Sequence, residues 1–228
     1  ASRLAHPNVI GVVDVGETPE GLFYLAMDLA DGPTLGDVVA RGRVAPGDVL
    51  TLLAQLADGL AHAHERGMVH RDLKPDNVVV TLGPDGGLVP RVIDFGLALL
   101  EEAGDGDRLT TAGLVVGTPC YMAPEQATGG VLDHRTDLFA LGIMLFELLA
   151  GCLPFDGSPI EIARQNVEAR LPTVLARSGR PTDPLLEAMV AWLTRRRRDD
   201  RPADTRVVAT FARRLLARDR AGAAALLP

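Results

Sequence analysis

Apolar and polar residues change rhythm several times along the chain. Residues 8–16 and 22–29, "NVIGVVDVG" and "LFYLAMDL", are rich in β-branched and aromatic residues, with the turn-forming "ETPEG" between them. This pattern predicts two strands paired as a hairpin. Over residues 46–66 the period becomes helical: Val49, Leu52, Leu53, Leu56, Leu60 and Ala63 fall on one face. Pro46 suits the first turn of that helix, and Gly67 suits its end. Three short strands are then expected at "MVH", "NVVV" and "RVIDF", with the turn "GPDGG" between the last two. Residues 96–117 are polar, Gly-rich and without period, and a loop of that length is usually functional or disordered. Beyond Asp133 the pattern is helical over 136–150, 158–168, 183–194 and 202–218. A small β region followed by a mostly helical one reads as α+β, and no repeat period suggests a solenoid.

Composition narrows the possibilities. The chain has 228 residues, 47% of them hydrophobic, enough for one large core or two lobes of unequal size. A net charge of −7 argues against a nucleic-acid partner. The basic run from Arg195 to Arg198 is followed at once by Asp199 and Asp200, which reads as a solvated helix end. Cys120 and Cys152 stand in no metal-ligand spacing. Two isolated thiols point to a reducing compartment. A cytoplasmic location is therefore expected, for the chain alone or as the cytoplasmic part of a larger or membrane-anchored protein. The longest apolar stretch, residues 138–150, is too short to cross a bilayer and carries Glu147, so it reads as a buried core helix.

The candidate chemistry is concentrated in "HRDLKPDN", residues 70–77. Lys74 is the only lysine; the other 22 of the 23 basic residues are arginine. Asp72 is placed to accept a proton from a nucleophile. Lys74 puts a compact ammonium two residues away, on the same side of an extended backbone. Asn77 offers an amide oxygen, and Asp94 in "VIDFGLA" a carboxylate, a pair suited to Mg²⁺, which takes few protein oxygens and completes its shell with phosphate and water. A base, a cation and a metal pair suggest phosphoryl transfer. Each piece alone is weak, since an Asp–Asn pair in a loop is ordinary turn chemistry. The order is what counts: H-R-D-x-K-P-x-N, a strand, D-F-G, a long loop, then A-P-E.

In that order the sequence resembles a eukaryotic-type serine/threonine protein kinase of the kind also found in bacteria. "HRDLKPDN" looks like the catalytic loop and Asp94-Phe95-Gly96 like the D-F-G segment. "GTPCYMAPEQ" resembles the end of the activation segment, with Ala123, Pro124 and Glu125 as A-P-E. "DLFALG", from Asp137, resembles the start of the family's buried central helix. Arg201 matches the arginine that pairs with Glu125. "HPNVI", from His6, resembles the segment before the fourth strand.

The resemblance implies a bilobal kinase fold with an incomplete N-terminal lobe: residues 1–30 as its remnant, 31–218 as the helical C-terminal lobe, and 219–228 as tail or linker. It implies ATP and Mg²⁺ as cofactors and proteins bearing Ser or Thr as partners, the protein itself included. Asp72 would be the catalytic base. Lys74 would contact the γ-phosphate, and Asn77 and Asp94 would hold the metal. Met27 would be the gatekeeper, the backbone of Asp28 and Ala30 would face adenine, and Val79 would pack under the ring. Thr118 would shape the substrate site. Phe95 and His70 would stack, and Arg71 would meet a phosphate on Thr110 or Thr111.

The family template also has a Gly-rich loop, a lysine on the third strand and a glutamate on the regulatory helix. The sequence contains no G-x-G-x-x-G, and its single lysine is already placed in the catalytic loop. Two readings fit: a piece of a longer kinase, which the non-Met start favours, or a natural protein lacking half its nucleotide site. A pseudokinase or protein-binding module on the same fold is the alternative function. A small-molecule phosphotransferase ranks lower, because such enzymes usually lack A-P-E.

Overall fold

The computed structural model describes residues 5–42, 44–84, 86–95 and 119–228. The first strands, β1 (Val12–Glu17) and β2 (Phe23–Met27), form the expected antiparallel hairpin, with Val15 opposite Leu25 and Glu17 opposite Phe23. Its surface is open: Phe23 is 68% and Val15 54% exposed. The chain then crosses to α1 (Leu35–Ala40), whose N-terminus is closed by reciprocal bonds between Thr34 and Asp37. Gly32 passes so near the Val80 carbonyl that a Cβ would lie 2.4 Å from its oxygen, so the crossing requires a glycine.

The next helix, α2 (Pro46–His64), has Pro46 in its first turn and buries Val49, Leu52, Leu53, Leu56, Leu60 and Ala63, the face the period indicates. Gly67, at φ 77°, ends the turn that follows, in a region where a side chain is strained. Strands β3 (Val78–Leu82) and β4 (Leu88–Val92) pair antiparallel, Val78 opposite Val92. "MVH" is not a strand. The His70 N–H donates to the Asp137 carboxylate at 2.8 Å instead of to a neighbouring strand. Asn77 closes a single 3-10 turn, Pro75–Asn77, before β3 begins.

The remainder is helical: α3 (Pro124–Ala127), α4 (His134–Ala150), α5 (Pro159–Glu168), α6 (Val174–Ser178), α7 (Pro184–Leu193), α8 (Arg206–Leu216) and α9 (Arg220–Ala224). The four expected helices are α4, α5, α7 and α8. Helix α8 starts at Arg206, four residues after the expected start, with Thr205 as its N-cap and the Asp204 carboxylate accepting the Arg206 N–H at 2.9 Å just before it. Helices α1, α6 and α9 span five or six residues, too short to show a period. The stretch 219–228, expected as tail or linker, carries α9, whose Ala223 is fully buried. Helix α4 is buried almost along its whole length, including Leu138, Phe139, Leu141, Ile143 and Phe146, and it forms the centre of the helical body.

A buried ion pair closes this body. Arg201 donates to both oxygens of Glu125, at 2.6 and 2.8 Å, and to the carbonyls of Arg195, Arg135 and Arg196. Its guanidinium lies 5.0 Å from the Phe139 ring centre, and its side chain is wholly buried. Glu125 also accepts from the Thr136 hydroxyl at 3.1 Å. Such a pair adds little over an apolar replacement, but breaking it leaves a charge stranded. Arg201→Ala is expected to cost about 3–5 kcal/mol, lowering the melting temperature by roughly 6–20 °C for a chain this long. Glu125→Met with Arg201→Met should melt above either single variant. A double variant no better than the singles would show that the charges are not coupled.

Candidate active site

The site is built on one carboxylate. Asp137 lies in the first turn of α4 and is 1% exposed. Its Oδ2 accepts the His70 N–H at 2.8 Å and meets His64 Nε2 at 2.8 Å, while Oδ1 accepts the Arg71 N–H at 2.9 Å. His64 Nδ1 meets the Thr205 hydroxyl at 2.9 Å. Burial alone would push the Asp137 carboxyl up. The hydrogen bond and charge of His64 and the His70 N–H outweigh burial and hold the group below the usual carboxylate range. On the far side, the Arg71 carbonyl accepts from Gln126 Nε2 at 2.6 Å, and Gln126 Oε1 accepts the Ala123 N–H. These bonds hold Arg71 at φ 66°, a conformation uncommon outside glycine.

The three residues singled out in the loop come together. Lys74 Nζ donates to Asp72 Oδ2 at 2.7 Å. Asn77 Nδ2 donates to the Asp72 carbonyl at 2.8 Å and to its Oδ2 at 3.2 Å. Asn77 is buried, whereas the Asp72 side chain keeps 47% of its surface open. With its amide nitrogen used on Asp72, Asn77 has its oxygen on the other arm.

Asp94 reaches the same region through its neighbours. The Ile93 N–H donates to the Asn77 carbonyl at 2.9 Å, and the Ile93 carbonyl accepts from His70 Nε2 at 2.8 Å. His70 Nδ1 accepts the Asp72 N–H at 3.3 Å, which places the ring proton on Nε2. His70 therefore links the loop to the strand end that presents Asp94. Asp94 itself sits at φ 66°, which Asp tolerates better than most residues. Phe95 packs edge-on against His70, ring centres 4.7 Å apart, the stacking the sequence suggests.

The expected adenine side lies along the hairpin exit. Met27 is half-buried at the end of β2, and the Asp28 N–H is used on the Gly11 carbonyl. Past Ala30 the chain bridges β3, Thr34 against Val79, and Val79 is buried. Thr110, Thr111, Thr118 and Gly96 lie outside the described residues.

Sequence reasoning missed several groups. Asp137 opens the segment that resembles the family's central helix, and an acid in the first turn of so apolar a helix is itself a signal. Gln126 and His64 carried none. Tyr121 donates to Glu147 Oε2 at 2.6 Å. Burial pushes the Glu147 carboxyl up, against the Tyr121 hydrogen bond and with the charge of Asp76. Asn166 of α5 donates to the carbonyls of Cys120 and Met122. Together these two anchors seat residues 120–122 on the helical body.

A loop ordered H-R-D-x-K-P-x-N, pinned to a buried central helix and bonded through His70 and Asn77 to the strand end that carries Asp94 and Phe95, is the arrangement of a protein kinase. The model of the protein kinase domain matches residues 1–220, and the chain belongs to that family. It is 38% identical over 207 residues to serine/threonine-protein kinase pkn3 of Myxococcus xanthus, covering 89% of this chain and 38% of that protein. It is 38% identical over 175 residues to PrkC of Bacillus subtilis, covering 76% and 26%. It is 36% identical over 206 residues to PknB of Mycolicibacterium smegmatis, covering 88% and 32%. The chain thus spans well under half the length of these relatives.

The Asp137 network has a pH signature. Its folded pKa lies below the unfolded value of about 3.9. Its contribution is therefore complete above that value and is lost as pH falls through the folded one. Asp137→Asn is expected to lower stability at pH 7 by about 1.5–3 kcal/mol, as for hydrogen bonds to a charged group. It should also flatten the acid limb of a melting-temperature profile below about pH 4. An unchanged acid limb would show that the network does not rest on this charge.

Proposed function

We propose that the complete gene product transfers the γ-phosphate of ATP to Ser or Thr hydroxyls of proteins. The observation that best supports this reading is the Asp72–Lys74–Asn77 contact set, held one backbone link from Asp94. Asp72, the most open of the three, accepts the hydroxyl proton as the oxygen–phosphorus bond forms and the bond to ADP breaks. Lys74 places its ammonium on the moving phosphoryl group. Asn77 and Asp94 fit Mg²⁺, since both present oxygen. Among the described residues no cluster of three or more His, Cys, Asp or Glu could hold a metal by itself. When bound, the metal neutralises phosphate charge.

Met27 is proposed as the gatekeeper, with the Asp28 carbonyl and the Ala30 backbone against adenine and Val79 beneath the ring. Residues 1–30 are read as the end of a small lobe, consistent with the open apolar surface of the hairpin. Arg71 is proposed to meet a phosphate on Thr110 or Thr111 placed there by autophosphorylation, and Thr118 to shape the substrate site. Among the described residues no helix is long and apolar enough to cross a membrane. The single lysine favours a second reading for this chain taken alone: a protein-binding module on the kinase fold.

Radiolabel transfer from γ-labelled ATP tests the first reading. Label should appear on Ser or Thr of a protein substrate, and Asp72→Asn should remove about 10²–10⁴-fold of the rate. The 228-residue chain by itself, without a second lysine or a Gly-rich loop, should transfer at least ~10²-fold more slowly. Label on tyrosine, or transfer that survives Asp72→Asn, would overturn the assignment.

A further inference from the structure

A pair of histidines outside the candidate active site joins the segment before the hairpin to α2. His6 lies on the segment leading into β1, and His62 lies on α2. Their ring centres are 5.1 Å apart and their planes tilted by 36°. His6 Nδ1 accepts the Asn8 N–H at 3.2 Å. Asn8 then donates to Gln55 of α2 and to the Pro90 carbonyl of β4, both at 2.9 Å. The Ile10 N–H donates to the Val92 carbonyl and the Val92 N–H to the Asn8 carbonyl, each at 2.9 Å. This segment tethers the hairpin to α2 and to β4, and β4 ends two residues before Asp94.

The imidazoles line a groove of about 440 Å³ between α2 and α8, with Asp58, Glu65, Arg206 and Arg213. Both carboxylates are already matched, Glu65 by Arg206 and Asp58 by Arg213. Arg66, in the turn just past α2, donates to the His62 carbonyl, and Arg91 of β4 lines the neighbouring cleft together with His6. Arginines thus stand around the pair past the end of α2, on α8 and on β4. His62 Nε2 is buried with no hydrogen-bond partner. A proton there would create a cation without an acceptor, and a proton on His6 would add a cation beside the other ring.

The geometry points to a proton-sensitive latch: His6 rests on His62 while both rings are neutral, and protonation lifts the tether and loosens the hairpin from the helical body. Electrostatics agree with this direction. Burial, the charge of His62 and that of Arg66 outweigh the pull of Asp58 and hold His6 below the ordinary imidazole value of 6.5. Burial and then Arg66 do the same for His62. A lowered folded pKa means that the latch is fully stable above the unfolded value. Its contribution is lost as pH falls below 6.5 toward the folded midpoints.

The test is a histidine-ring NMR titration of the 228-residue chain together with amide exchange at Ile10. Both rings should titrate below 6.5. His62→Gln should raise the His6 midpoint toward 6.5, and His6→Gln should raise that of His62 by uncovering it. From pH 7.5 to 5.5 the Ile10 amide, corrected for chemical exchange, should lose protection relative to Leu141, and should not in His62→Gln. Either ring titrating at or above 6.5 overturns the latch, as does Ile10 protection that follows Leu141 at both pH values.

Discussion

One buried carboxylate sets the geometry of everything above it. Residues 68–70 have no strand partner, so the loop from His70 to Asn77 cannot take its shape from a sheet. It takes it from Asp137, which binds two consecutive loop amides and one imidazole. A buried charge is tolerated only when donors surround it, and here three converge in the first turn of a helix, where the peptide dipoles also favour a negative group. The helix that carries Asp137 is buried almost throughout, so the anchor has little freedom to move. Loop position is thereby tied to core packing.

That anchoring is two-sided. Arg71 is bonded through its N–H to α4 and through its carbonyl to Gln126, next to the Glu125–Arg201 pair. Its left-handed backbone persists because both flanking peptides are fixed, so the strain is held by polar bonds of the surrounding helices. Asp72 follows Arg71 directly. A change at Gln126 or Asp137 therefore acts on the direction of Asp72 without touching it. Asp94 is positioned by the same logic, with Ile93 bonded on both sides, to Asn77 and to His70.

The parts legible in the sequence have local causes. The hairpin, α2, α4, α5 and α7 follow from period and end signals, and the loop residues from their order along the chain. Glu125 and Arg201 were reached through family resemblance, since 76 residues separate them and no local pattern joins them. What stayed hidden depends on contacts between distant segments. "MVH" has the composition of a strand, but its Met68 N–H goes back to the Ala63 carbonyl and its His70 N–H to Asp137, 67 residues on. Gln126 and His64 look like ordinary polar helix residues until the fold brings the Arg71 carbonyl and Asp137 to them. The short helices α1 and α6 are set by caps at Thr34 and Thr173, which periodicity over five or six residues does not reveal.

The two sides of the candidate site are held by different physics. Below it, charged groups are buried and satisfied: Asp137 by three donors, and Arg201 by a carboxylate and three carbonyls. Such networks open only with the core around them, because separating any member strands a charge. Above it, the hairpin has its apolar side chains in solvent and hangs on a few amides and the Asn8 side chain, beside an imidazole pair that contains an unpartnered buried nitrogen. Segments with few buried contacts open at much lower free energy than core helices. The adenine-facing backbone proposed at Asp28 and Ala30 belongs to this weakly held part, and the catalytic loop belongs to the rigid one. A ligand that touched both sides would spend its binding energy on ordering the hairpin, because Asp72, Asn77 and Asp94 are already fixed by their own bonds.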